Sequence, residues 1–174
     1  MPGVPRNMTV FRNGTGELVL YSVVAMHEDG MRALEALGRP TVTVVPHRRH
    51  QMDAPLAELS RFGIDAYALP GNDHEDTVMD LPLEGGRALC VCESLTNIST
   101  TGLARLLFKV LGPPGGGFGV ARAVRFREIP GRDALKAWLL AQAERADLRF
   151  LLFGHGAPLA RDIPAALRRA AGQV

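Results

Sequence analysis

The sequence predicts a layered α/β domain, and three observations predict it. Residues 17–69 alternate strand and helix signals in the order strand, helix, strand, helix, strand. Two apolar runs then flank Glu84-Gly85-Gly86, a hairpin turn. The last third carries a helix, a short apolar strand and a terminal helix.

Met8–Arg12 and Glu17–Ala25 lie on either side of Asn13-Gly14-Thr15-Gly16, which is turn chemistry, so the first 25 residues predict a hairpin. In the second strand Leu18, Leu20, Ser22 and Val24 alternate with Val19, Tyr21 and Val23. It is apolar on nearly both faces and is expected to be buried on both. His27-Glu28-Asp29 opens a helix with acids in its first turn, where the macrodipole favours them. Met31, Leu34 and Leu37 form its apolar stripe, and Gly38 stops it before Pro40. Thr41–Val45 is a β-branched run and predicts a strand ending at Pro46. Ala54–Phe62 predicts a second helix with Leu56, Leu59 and Phe62 inward, closed by Gly63, and Ile64–Leu69 the next strand.

Thr77–Leu83 and Arg87–Glu93 are the strands of the Glu84-Gly85-Gly86 hairpin. A helix capped by Thr100 or Thr101 follows, with Leu103, Leu106, Leu107, Val110 and Leu111 at helical spacing. Residues 112–119 predict a flexible loop, a flap or spacer beside a site, and Val120–Phe126 a strand. Asp133–Ala146 predicts a helix with Leu135, Trp138, Leu139 and Ala143 on one side. Phe150–Phe153 is a last strand, and Ile163–Ala171 a terminal helix.

A chain of 174 residues predicts one domain, 1–174, able to bury a core without staples. Twenty basic and 18 acidic residues give a net charge of +2, which argues against a dedicated nucleic-acid binder. No apolar run reaches the roughly 18 residues of a membrane span, and Met1 to Arg12 has no apolar segment of the signal-peptide kind. Cys90 and Cys92 are too close in sequence for an ordinary bridge, and a reducing cytoplasm is expected. Both are read as core thiols, since two thiols alone do not complete a zinc site. No Gly-x-Ser-x-Gly elbow is present, so a serine hydrolase is excluded.

Polar residues gather at strand ends, where layered α/β proteins assemble ligands. His47 and His50 follow the strand ending at Val45, His155 follows the strand ending at Phe153, and Glu93 ends another. Imidazole and carboxylate together are a ligand set for zinc, manganese or iron.

Three segments resemble the metallo-β-lactamase fold superfamily. Val42-Thr43-Val44-Val45-Pro46-His47-Arg48-Arg49-His50-Gln51-Met52-Asp53 stands where the family has a strand and a Thr-His-x-His-x-Asp-His loop. Gly86-Arg87-Ala88-Leu89-Cys90-Val91-Cys92-Glu93-Ser94-Leu95 is similar to its hairpin strand that ends in a metal-bridging Asp. Phe150-Leu151-Leu152-Phe153-Gly154-His155-Gly156-Ala157-Pro158-Leu159 is similar to the strand and Gly-His-Gly that deliver the last His ligand. The resemblance implies a four-layer αβ/βα sandwich of two mixed sheets flanked by helices. It also implies hydrolysis of a small-molecule substrate by a metal-activated water.

The ligand set departs from the family pattern. With His47 as the first His, Arg49, Gln51 and Met52 occupy the positions of His, Asp and His. His47, His50 and Asp53 instead recur every third residue, a spacing that faces one way if the chain coils helically. The resemblance then assigns His47, His50, Glu93 and His155 to a zinc, manganese or iron site holding one ion or none. Asp53 is a further ligand or a water-orienting base, and it also suits the N-cap of the helix beginning at Ala54-Pro55. Arg48, Arg49 and His74, the last beyond Pro70-Gly71, are assigned to substrate binding. The alternative is a metal-free relative that binds an anionic small molecule through Arg48 and Arg49, or an interaction module. A homodimer is compatible with either.

Overall fold

The Asn13 turn folds β1 (Thr9–Arg12) back onto β2 (Glu17–Tyr21) as an antiparallel pair. Asn13 Oδ1 accepts from Thr15 N at 3.1 Å and from Glu17 N at 2.8 Å, the local bonding that makes Asn a turn residue. The computed structural model describes residues 6–46, 56–72, 76–99, 110, 112–113, 117–120, 122 and 130–174.

From β2 the chain passes through α1 (Glu28–Leu37) into β3 (Arg39–Val44), which pairs with β2 in parallel. Pro40 is tolerated because β3 is an edge strand of the sheet β1-β2-β3. A short helix, α2 (Leu56–Leu59), tightens into a 3₁₀ turn at Ser60–Phe62 and leads to β4 (Asp65–Ala68). β5 (Thr77–Leu83) and β6 (Gly86–Val91) form the expected hairpin. β7 (Thr96–Ile98) pairs with β8 (Gly117–Gly119). α3 (Arg132–Ala143), β9 (Leu148–Phe153) and α4 (Ile163–Ala171) complete the order, and β9 lies parallel to β6 in the sheet β4-β5-β6-β9.

Strand alternation divides the core into layers. Leu18 and Leu20 of β2 face Leu34 of α1. Val19 and Tyr21, on the opposite face of the same strand, pack with Met79, Leu81, Cys90 and Cys92 of the second sheet. The far face of that sheet, through Leu89, Val91 and Leu151, meets Leu135, Leu139 and Leu167 of α3 and α4. The order is therefore helix, mixed sheet, mixed sheet, helices: an αβ/βα sandwich.

Several elements depart from the sequence expectation. β2 stops at Tyr21 rather than Ala25, because Ser22 turns out of the strand with φ +59°. In α1 only Leu34 is buried, and Met31 and Leu37 are exposed. Steps of three rotate by about 60° from a full turn, so the two residues flank the line of contact with a narrow three-stranded sheet. Residues 117–119 are a strand rather than loop, since Gly117–Gly119 finds a partner in Thr96–Ile98. Val120 is buried but lies outside any strand, and most of the strand expected over 120–126 is outside the described residues. The helix expected after Thr100 also lies outside them, apart from Val110, which is helical and exposed.

Candidate functional site

Parallel pairing brings strand exits to one edge of each sheet. β2 and β3 end there in the first sheet, β6 and β9 end there in the second, and antiparallel β5 begins there. The two sheets are tied at this edge. Tyr21 donates its hydroxyl to Thr77 O at 2.6 Å, Thr77 N donates to Pro46 O at 2.8 Å, and Ser22 Oγ lies 3.9 Å from Cys92 Sγ.

His155 leaves β9 in a segment gripped on both sides. Gly154 N donates to Val91 O at 2.9 Å, and Asn7 donates to Gly154 O through its backbone and to Phe153 O and Gly156 O through its amide. On the other side Asn97 N donates to His155 O, Ala157 N donates to Asn97 O, and Asn97 Nδ2 donates to Ala157 O. Both glycines are sterically required. A Cβ on Gly154 would stand 2.8 Å from Cys92 Sγ, and one on Gly156, at φ +96°, 1.9 Å from Asn97 O. The Gly-His-Gly sequence thus follows from how tightly the backbone on either side of His155 is held.

The held imidazole faces Glu93, which follows β6. His155 Nε2 is 3.2 Å from Glu93 Oε1, with side-chain exposures of 15% and 29%. Beneath them lies Asp76, which is 1% exposed. Its Oδ2 accepts from Glu93 N at 3.2 Å and Ser94 N at 2.9 Å, while Oδ1 meets no hydrogen-bond donor among the described residues. Burial pushes the Asp76 carboxyl up to about 6 against the pull of these N–H groups. Cys90 and Cys92 are buried free thiols. Burial pushes Cys90 up to about 12, and burial with the Asp76 and Glu93 charges pushes Cys92 well above the thiol range. Both are held as thiols inside the sandwich, where they are packing side chains.

The structure thus brings together Glu93 and His155 of the residues singled out in the sequence. His47, Arg48, Arg49, His50, Asp53 and His74 lie outside the described residues. Asp76 escaped the sequence reading, yet a signal for it existed. The β5–β6 hairpin pairs Met79 with Cys90 and Leu81 with Ala88, and the same register carried outward sets Asp76 across from Glu93.

Glu93 and His155 could serve as two donors to one metal ion. Zinc bonds of about 2.0–2.1 Å at tetrahedral angles separate adjacent ligand atoms by about 3.3 Å, close to the 3.2 Å between Nε2 and Oε1. Among the described residues no group of three or more His, Cys, Asp or Glu is placed to hold a metal ion. Further donors would have to come from elsewhere in the chain.

No protein-family model matches the sequence, and no curated protein matches it. Solved structures do. The structure of TMB-1, studied for the role of two residues in substrate and inhibitor binding, aligns over 99% of this chain and 88% of its own, with a TM-score of 0.56 and 12% identity. The metallo-β-lactamase DIM-1, in a structure exposed to ceftazidime, aligns over the same shares with a TM-score of 0.55 and 12% identity. The chain has the metallo-β-lactamase fold. At this identity it is the fold that is shared, nearly end to end, and the αβ/βα layering described above is its basis. In this metallo-β-lactamase fold the exits of β6 and β9 carry Glu93 and His155, and among the described residues no helix is long and apolar enough to cross a membrane.

Proposed function

We propose that the chain is a divergent metal-dependent hydrolase acting on a small-molecule substrate. The observation that carries this reading is the 3.2 Å approach of His155 Nε2 to Glu93 Oε1 at the edge where both sheets release their strands. His155 and Glu93 would hold one zinc, manganese or iron ion together with His47 or His50. A bound ion of this kind polarises the scissile group and lowers the pKa of water to roughly 7. His155 would contribute an imidazole on a backbone held by Asn7 and Asn97, and Glu93 a carboxylate that would lower the net charge at the ion. Asp53 would orient the attacking water or add a ligand, and Arg48, Arg49 and His74 would bind the substrate. The buried, free Cys90 and Cys92 agree with a reducing compartment such as the cytoplasm.

A second reading draws on the same contact. The two side chains lie within direct hydrogen-bond distance of each other, as they would in a metal-free relative in which Arg48 and Arg49 bind an anionic small molecule. Screening hydrolysis of lactam, thioester, lactone and phosphodiester substrates separates the two readings. The hydrolase reading expects one class to be turned over, with activity removed by a chelator and by His155→Ala. The second expects no turnover, and a phosphate-dependent rise in Tm that Arg49→Ala abolishes.

A further inference from the structure

We infer that Asp76 is a positioning residue that sets Glu93 against His155. β6 loses its ladder partners after Val91, so the N–H groups of residues 93 and 94 have no strand to bond to. One carboxylate oxygen, Asp76 Oδ2, receives both, at 3.2 and 2.9 Å. Both N–H groups thus donate to a side chain that is 1% exposed and cannot swing away into water.

The residue is itself anchored from three directions. Its carbonyl accepts from Leu69 N at 2.7 Å, fixing the exit of β4. The next residue, Thr77, donates its N–H to Pro46 O and accepts the Tyr21 hydroxyl on its carbonyl. Pro46 directly precedes His47, so the Asp76–Thr77 backbone couples the strand exit before His47 and His50 to the turn bearing Glu93. Ser94, at the other end of that turn, is buried and accepts from Asn72 Nδ2 at 2.6 Å. A buried carboxylate with one oxygen bonded twice and the other meeting no donor among the described residues is poor design for stability alone. Holding a ligand turn accounts for it.

The inference takes its metal from the hydrolase reading, but not its hydrogen bonds. The test compares wild type, Asp76→Ala and Asp76→Asn as full chains, by zinc affinity in chelator competition and by amide hydrogen exchange at residues 93 and 94 without metal. Asp76→Ala is expected to speed exchange at both amides and weaken zinc binding about 10–100-fold in folded protein. Asp76→Asn, which keeps an oxygen acceptor, is expected to restore both towards wild type. Fast exchange with undiminished zinc affinity in Asp76→Ala overturns the inference. If that variant does not fold, Asp76→Ser takes its place with the same outcomes, its single hydroxyl lacking the reach of the carboxylate. Wild-type protein that binds none of zinc, manganese and iron contradicts the hydrolase reading instead. The Glu93–His155 separation in crystals of wild type and the folded variant then decides, and a contact kept without the carboxylate overturns the inference.

Discussion

Cys92 Sγ and Gly154 Cα are packed so closely that no Cβ fits between them: one built on Gly154 falls 2.8 Å from the sulfur. This contact lets the chain leave β9 directly against the end of β6, which fixes the backbone on the His155 side of the pair. On the His155 side the geometry is imposed by close packing, and on the Glu93 side the backbone is held by Asp76.

Gly156→Ala tests that imposition. The backbone there has φ +96° and the new methyl would meet Asn97 O at 1.9 Å, so the variant must give up the bonds between Asn97 and residues 155–157. We expect a loss of about 2–3 kcal/mol in urea unfolding. A loss no larger than that of an ordinary surface substitution would show that the loop relaxes freely.

Asp76 makes stability depend on pH with an unusual sign. Its folded carboxyl titrates at about 6 against an ordinary 3.8, so the folded chain holds a proton there that the unfolded chain releases. Its contribution is favourable at pH 4 and is lost as pH rises through 6, by about 3 kcal/mol at 1.36 kcal/mol per pH unit. The unfolding free energy of wild type relative to Asp76→Asn, measured at pH 4 and pH 7.5, is expected to fall by that order. A difference that does not change with pH would contradict it.

Asp80 ties the second sheet to the end of α3. Its oxygens accept from Arg87 Nε and Arg145 Nη1, both at 2.6 Å, and the carboxylate is largely buried. Asp80→Ala leaves Arg87 paired, among the described residues, only with Asp65 and Arg145 only with Asp147, both on the exposed side, and is expected to destabilise by about 1–3 kcal/mol. Thermal unfolding checks this, and a Tm within a degree of wild type would refute it.

Cys90 and Cys92 are buried, and the local environment holds both as thiols. At pH 8 a thiol-specific disulfide reagent is expected to label native protein at least about 100-fold more slowly than unfolded protein, because labelling requires opening. Rapid release of two equivalents from native protein would place these thiols at the surface.

Much of the fold was legible because its signals are local. The four apolar residues expected inward on the third helix, Leu135, Trp138, Leu139 and Ala143, are all buried, and the terminal helix has the bounds its pattern predicts. The β7–β8 pair was not legible. Three residues carry no periodicity, and Gly117–Gly119 has loop composition, so only a partner distant in sequence makes it a strand. At the site, His155 and Glu93 stood out by residue type at strand ends. Asp76 did not, because its importance lies in bonds to the backbone of residues 93 and 94, and these become visible only once hairpin register is applied.

Whether Glu93 and His155 hold an ion is read directly from the metal content of the purified full chain and of His155→Ala, after incubation with zinc, manganese or iron and removal of free metal. About one ion per wild-type chain is expected, with a loss of at least about tenfold in affinity when the imidazole is removed. Wild-type protein that remains metal-free with all three would contradict the hydrolase reading.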